Sequence, residues 1–380
     1  MKVCVIITVS QNLYSLYREQ FSYLQSQGID ITAIAAPGVE HELLKSQGIK
    51  TVAIKMKKRP APISDLISLF KIWWYLLFNR YDIVSVSTPK ASLLGALAAK
   101  LSFHNNIIFT LRGRAYENEK GMKRKIFMCI DKLICSLSKS VFCISHEIKN
   151  DFIDKNLVNK NKIFVIGKGS SNGVDLSKFT PRLELEEKAI QIRSRLHIEN
   201  SSKVLLYSGR IRKDKGINEL VEAFLNLSQK NDIHLIIQGE FDNTDPLKEE
   251  TVTQIYENSR IHLEPWSYEN EIYFQCADIF VFPSYREGFG NVVIEASAME
   301  LPVIAFDVIG CRESVENNVS GILVKPKSVQ SLIKAIEYII MNEDESHRLG
   351  HEGRRRIEEH FDSIKLWEQL VNRYKTLINK

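Results

Sequence analysis

Short runs of β-branched and other apolar residues alternate along the chain with longer amphipathic stretches. In the first half the short runs fall at residues 3–9, 30–35, 51–54, 83–87, 107–110, 140–144 and 163–166. In the second they fall at 204–208, 234–238, 261–263, 279–283, 302–305 and 321–324. Alternation of this kind predicts parallel sheets joined by crossover helices. Two such series in one chain predict an α/β protein of two Rossmann-like domains facing each other across a cleft. The length of 380 residues agrees, because it exceeds what one hydrophobic core usually supports.

The joint is expected near residues 172–200. There Asn172-Gly173-Val174-Asp175 is a turn signal, Phe179-Thr180-Pro181 breaks regular structure, and a charged segment, 182–195, follows. These signals place an amino-terminal domain at 1–176 and a carboxy-terminal domain at 177–362. The last helix, 363–380, is expected to cross back to the first domain. Neither an internal repeat nor a low-complexity tract interrupts this plan.

Composition excludes several classes. With 44% hydrophobic and 26% charged residues the chain is an ordinary globular protein rather than a disordered one. Its six cysteines form no C-x-x-C pair and read as buried thiols in a reducing cytoplasm. The first nine residues read as a strand, since no cleavage site follows their short apolar run. The densest apolar patch, 72–78, is far below the roughly 20 residues needed to span a bilayer.

Charge changes the picture more. Residues 1–180 hold 26 basic and 13 acidic side chains, a balance of +13, while the remainder carries −8. One half therefore faces something anionic: nucleic acid, an anionic membrane surface or a pyrophosphate-bearing acceptor. Nucleic acid is set aside, because no interleaved aromatics sit on a recognisable binding motif. The stretch 121–140 mixes Lys123, Arg124, Lys125, Lys132 and Lys139 with Ile126, Phe127, Met128, Ile130, Leu133 and Ile134, and reads as a basic amphipathic helix for an anionic interface. The apolar stretch 63–78 reads instead as a core-facing helix with a solvated outer face.

Ligands of open parallel sheets bind beyond the carboxyl ends of strands, so chemistry is sought there. The segment from Pro283 to Ala296 follows one strand and runs into an apolar helix. Gly288 and Gly290 let the backbone approach a ligand closely. The helix start at Phe289, Asn291 and Val292 directs unpaired N–H groups outward, which suits a phosphate. Glu287 precedes that helix and Glu295 lies inside it among apolar neighbours, where a carboxylate needs a partner. Each can accept hydrogen bonds from sugar or ribose hydroxyls.

A second segment, Ser208-Gly209-Arg210-Ile211-Arg212-Lys213-Asp214-Lys215-Gly216, also follows a strand. Its cations fit either a solvated turn or a site that stabilises a departing diphosphate, with Arg210 and Lys215 as the candidates. The spacing is not that of a Walker A loop.

With these residues in place the second half resembles glycosyltransferase family 4, retaining enzymes of the two-domain GT-B fold. The match rests on Gly209-Arg210 with Lys215, on Glu287 and Glu295 at E-x7-E spacing, and on Leu301-Pro302-Val303-Ile304. Asp307-Val308-Ile309-Gly310-Cys311-Arg312-Glu313 and Asn318-Val319-Ser320-Gly321 complete it. The resemblance implies that Arg210 and Lys215 bind the donor diphosphate, that Glu287 contacts the transferred sugar, and that Glu295 contacts the ribose. It also implies a nucleotide-sugar donor, with UDP expected, and no metal or other cofactor. The first half resembles bacterial members that extend polyprenyl-diphosphate-linked saccharides in capsule, O-antigen or protein-glycan assembly. A cytoplasmic enzyme, peripheral on the anionic inner face of the membrane, is therefore expected.

Many family members carry a histidine near the end of the strand where this chain reads Thr110-Leu111-Arg112-Gly113, and Arg112 cannot act as a base at neutral pH. The retaining chemistry that the family implies needs no side-chain nucleophile. Acceptor or phosphate contacts are sought at Ser10, Gln11, Lys90, Arg112, Arg114, Ser145 and Asn172. The three cations among these also fit solvated surface positions, and Ser145 also fits a helix cap. A nucleotide-sugar epimerase and a non-catalytic nucleotide-sugar-binding subunit are the alternatives. The E-x7-E helix argues against the first, and intact Arg210, Lys215 and Glu287 argue against the second.

Overall fold

The computed structural model describes residues 1–379 apart from Asn118. The chain forms two compact units, Met1–Asn172 with Ile364–Lys380, and Gly173–Ser363. In the first, β1 (Lys2–Ile6), β2 (Asp30–Ala35), β3 (Lys50–Ala53), β4 (Ile83–Ser87), β5 (Ile107–Leu111), β6 (Ser140–Cys143) and β7 (Ile163–Val165) make a parallel sheet. Their order is β3-β2-β1-β4-β5-β6-β7. In the second, β8 (Lys203–Ser208), β9 (Ile233–Gln238), β10 (Ile261–Glu264), β11 (Ile279–Phe282), β12 (Val303–Phe306) and β13 (Ile322–Val324) are again parallel. Their order is β10-β9-β8-β11-β12-β13.

Each sheet reverses its direction of growth once, between β1 and β4 and between β8 and β11. Helices leaving the two neighbouring strands at such a point pass to opposite faces, which opens a crevice beyond the strands' carboxyl ends.

Helices cover both faces, so the central strands are apolar throughout rather than alternating. Val3, Cys4, Val5 and Ile6 of β1 are at most 2% exposed. Every strand segment read from the sequence forms a strand, 30–35 and 83–87 with the expected ends and the others shifted by a residue or more. Lys2, Lys50 and Lys203 join the ladders opposite Asp30, Thr32 and Ile233, because backbone pairing continues past the apolar run. The first-unit core is completed from far along the chain. Leu366, Leu370, Val371, Tyr374 and Leu377 of the helix Ser363–Ile378 share it with Val3, Val5 and Phe21.

Two expectations need correction. Five cysteines are buried, but Cys129 is exposed, because it lies on the outer side of the helix Gly121–Leu137. The helix Pro62–Phe78 does face the core through Ser68, Ile72 and Leu76, yet its outer side is apolar rather than a polar, solvated face. Among the described residues no helix is long and apolar enough to cross a membrane.

On β9 and β10 the rings of His234 and His262 stack 5.2 Å apart, with Nδ1 of the first 2.9 Å from Nε2 of the second. A single shared proton satisfies that contact, and a second would set two N–H donors against each other, one of them on a cation. Burial, reinforced by His234, pushes His262 down from 6.5 to about 4. Burial also lowers His234. The unfolded chain then binds more protons between those values, so stability is full above pH 6.5 and falls as pH drops toward 4. We expect the melting temperature of the wild type to decline across this window more steeply than that of His262→Gln, measured by scanning fluorimetry. Parallel declines would remove the pair as the cause.

Candidate active site

At the reversal point of the second sheet, β8 and β11 lie side by side and their following loops meet. After β8 the chain passes through Gly209 and Arg210 into a short 3-10 turn, Lys213–Lys215, then Gly216 and the helix Ile217–Leu227. After β11 it runs from Pro283 to Gly290 and enters the helix Asn291–Ala298. Gly216 has φ +72, and a Cβ there would lie 2.0 Å from the carbonyl oxygen of Pro283. Only glycine permits the two loops to approach this closely.

Backbone and side chains then join them. The N–H of Tyr285 donates to the carbonyl of Asp214 at 2.9 Å. Arg286 donates twice to Asp214 Oδ2, at 3.1 and 2.9 Å. Lys215 Nζ pairs with Glu287 Oε1, and both side chains are mostly buried. Lys215 also lies 3.5 Å from Ser284 Oγ. From the next loop, Gly310 (φ +86) backs against Glu287: a Cβ there would sit 2.8 Å from the Glu287 carbonyl oxygen.

The charge of Glu287 acts on buried neighbours. Burial holds the Tyr207 hydroxyl and the Cys311 thiol well above their ordinary ranges, and Glu287 adds to both shifts. Tyr207 stays protonated and donates to the carbonyl of Arg210 at 2.8 Å, which fixes the start of the cationic loop. Arg210 itself is 65% exposed and pairs with Asp242 at 3.3 Å. Arg212, by contrast, is mostly buried between Asp214 at 2.6 Å and Asp242 at 3.2 Å. Arg210 is thus a loosely held cation of this loop and Arg212 a structural one.

Glu295 has the partner its apolar setting demands, accepting from Asn270 Nδ2 at 3.1 Å. Asn270 ends the loop that follows β10 and carries Trp266, which meets Tyr268 edge to face at 4.4 Å. Phe289 differs from the others. Its side chain is buried against Phe361 with ring centres 5.6 Å apart, so it anchors the loop and offers a ligand only its backbone. Gly209, Gly288, Asn291 and Val292 are partly exposed, and Gly290 packs against Ser314 and Val293.

The first unit places its candidates after β1, β4, β5, β6 and β7. Ser10 is buried and donates to Glu40 Oε2 at 2.7 Å, while Gln11 beside it is exposed. Lys90 pairs with Asp65 at 2.7 Å and donates to the Arg59 carbonyl at 2.5 Å. Arg114 pairs with Glu117 and lies 3.6 Å from Asp151. These two cations are not solvated surface groups but members of internal pairs. Arg112 donates to Ser87 Oγ at 3.2 Å and lies over the Tyr17 ring, and its buried Nη1 has no partner among the described residues. Ser145 caps the helix His146–Asp154, accepting from the Ile148 N–H at 3.1 Å. Asn172 accepts from Gln20 at 3.3 Å and donates to the Leu16 carbonyl.

Sequence reasoning missed Thr88, at the reversal point of the first sheet. Its φ of +68 is a strained value for a β-branched residue. The Thr8 N–H donates to Thr88 Oγ at 3.1 Å, and the two hydroxyl oxygens lie 2.7 Å apart. The signal was available in the Thr88-Pro89 step directly after a strand.

Loops of this kind, a cation and a carboxylate meeting at a sheet's reversal point, suit a polar, phosphorylated ligand, and the whole architecture is that of GT-B glycosyltransferases. Over 99% of this chain and 100% of its own, the structure of Anabaena HepE in complex with UDP and glucose superposes with a TM-score of 0.82 at 18% identity. Residues 16–178 match the family model "Glycosyltransferase Family 4" and residues 189–356 that of "Glycosyl transferases group 1". The chain is 33% identical to the capsular polysaccharide biosynthesis glycosyltransferase CapM of Staphylococcus aureus, over 100% of this chain and 98% of that protein. Over 72% of this chain and 70% of its own, an Escherichia coli UDP-Gal:α-D-GlcNAc-diphosphoundecaprenol α-1,3-galactosyltransferase is 28% identical. The chain belongs to glycosyltransferase family 4.

Proposed function

We propose that this chain transfers a hexose or N-acetylhexosamine from UDP, with retention, to a polyprenyl-diphosphate-linked saccharide in surface polysaccharide assembly. The observation that carries the reading is the Lys215–Glu287 pair on loops joined at the β8–β11 reversal point. Support for donor and acceptor comes from the E. coli relative, named for UDP-Gal and a diphosphoundecaprenol sugar, and support for the pathway from CapM.

In this reading the acceptor hydroxyl attacks the anomeric carbon as the bond to the diphosphate oxygen breaks. That oxygen receives the acceptor's proton. Arg210 and Lys215, in place of a metal, take up the charge that develops on the diphosphate. Glu287 holds hydroxyls of the sugar and Glu295 those of the ribose. Arg112, with a buried donor left over, contributes positive charge to an anionic acceptor rather than moving a proton. Gln11 and Ser145 remain contacts of lower rank, since Ser145 is already a cap. The basic helix Gly121–Leu137 holds the enzyme at an anionic inner-membrane surface.

Scanning fluorimetry against UDP, GDP and ADP tests the donor. A ligand at a hundred times its dissociation constant stabilises by roughly 2.7 kcal/mol, which a melt resolves. We expect a shift with UDP that is absent in Arg210→Ala and Glu295→Ala. A shift confined to GDP or ADP would correct the base. A shift kept in both variants would move the donor site elsewhere.

A further inference from the structure

The helix Pro62–Phe78 has two apolar sides. Its core side is Ser68, Ile72 and Leu76. Its outer side is Ile63, Leu66, Ile67, Phe70, Trp74 and Phe78, each between 52% and 78% exposed. At ~100° per residue these six fall within an arc of about 120°, centred opposite the buried three. They form one stripe along four turns. The Trp74 ring lies 6.0 Å from Phe70 and 4.9 Å from Phe78, so the stripe is a continuous aromatic ridge. Its end widens where Trp73 Nε1 donates to the Leu101 carbonyl at 3.4 Å, beside exposed Leu101 and Phe103. Exposed apolar patches of this extent mark an interaction surface.

Charge identifies what covers it. Lys55, Lys57, Lys58 and Arg59 immediately precede the helix, Lys71 lies on it and Arg80 follows it, and all six are exposed. Between residues 55 and 80 the acidic side chain is Asp65, which is already paired with Lys90. The helix Pro89–Leu101 packs against this helix on one side and against Gly121–Leu137 on the other. Gly121–Leu137 exposes Met122, Ile126 and Leu133 among further cations. One face of the first unit thus presents an aromatic ridge inside a cationic collar. A second copy of the chain would bring an identical collar against this one, and the like charges oppose that pairing. Phosphate headgroups above an acyl layer match both parts: ring edges at the interface and lysines among the anions.

We propose that Pro62–Phe78 lies in the plane of an anionic lipid surface, with Phe70, Trp74 and Phe78 at the acyl boundary and residues 55–59 among the headgroups. This helix is the apolar anchor, and Gly121–Leu137 adds charge. The use of such an anchor rests on the lipid-linked acceptor proposed above, while its geometry does not.

Flotation of the full chain with vesicles tests it, using phosphatidylcholine alone and an equal mixture with phosphatidylglycerol. The wild type should float with the mixture, with a blue shift of tryptophan emission. Phe70→Ser/Trp74→Ser should bind at least about tenfold more weakly and melt unchanged, since both side chains are exposed. Lys57→Glu/Lys58→Glu/Arg59→Glu should lose the preference for the anionic mixture. Equal flotation of the Ser variant and the wild type would overturn the proposal. So would a wild-type dimer in light scattering that the Ser variant breaks, which would assign the ridge to self-association. Transfer to a water-soluble short-chain acceptor should be unchanged in the Ser variant and transfer to a vesicle-embedded long-chain acceptor reduced. If neither acceptor is used by the wild type, the transfer reading fails, and flotation still decides the anchor.

Discussion

Glu287→Gln and Lys215→Ala are each expected to lower kcat by a factor of about 100 to 1,000. The two groups face each other across loops from adjacent strands, and both are mostly sequestered from water. Without donor they neutralise one another. In the proposed reaction the diphosphate engages the ammonium, and the carboxylate is released to sugar hydroxyls. Removing either therefore removes an interaction that strengthens as the sugar–phosphate bond breaks. Stability separates catalysis from mere pairing. Lys215→Ala leaves a sequestered carboxylate uncompensated and should destabilise the second unit by up to about 3 kcal/mol. The double variant Lys215→Met/Glu287→Gln should regain most of that loss, because no lone charge remains, yet stay as inactive as the singles. A double variant with wild-type turnover would show the pair to be structural only.

Gly216→Ala should do comparable harm from a position with no side chain to lose. At φ +72 any Cβ is strained, and here it also meets the Pro283 carbonyl oxygen at 2.0 Å. The loops after β8 and β11 must then part, which separates Lys215 from Glu287. We expect a loss of about 2–4 kcal/mol, read as a fall of roughly 5–15 °C in the melt of the second unit, with UDP affinity lost in calorimetry. Gly28 supplies the control: its φ is also +72, and nothing lies within 4 Å of its would-be Cβ. Gly28→Ala carries the backbone strain alone, about 1–2 kcal/mol. Equal effects at both positions would mean that the loop contact contributes nothing.

The strands were legible because both faces of each sheet are covered, which leaves a short apolar run unlike any helix. Glu287, Glu295, Arg210 and Lys215 were legible as residues following strands or entering a helix between glycines. What each of them touches was not. The pairings of Lys215 with Glu287, Lys90 with Asp65 and Glu295 with Asn270 join positions 72, 25 and 25 residues apart. No local pattern encodes such contacts. Nor did spacing show that Phe289 turns inward, since an aromatic between two glycines suits a ligand wall and an anchor alike. The helix Pro62–Phe78 misled for a related reason. Periodicity reports one apolar face against one polar face, and here both are apolar, so the pattern could not reveal which side lacks a cover.

The return of the helix Ser363–Ile378 to the first unit bears on the order in which the protein is made. Units generally fold in the order of their synthesis. Here the amino-terminal sheet emerges first but lacks one wall of its core, the side chains of Leu366, Leu370, Val371, Tyr374 and Leu377. That wall is translated only after the whole of Gly173–Ser363, a stretch with both ends of its own in hand. The later-made unit is therefore the one able to mature first. The earlier one waits, its β1–β2 face open to solvent and to chaperones, until the last wall arrives.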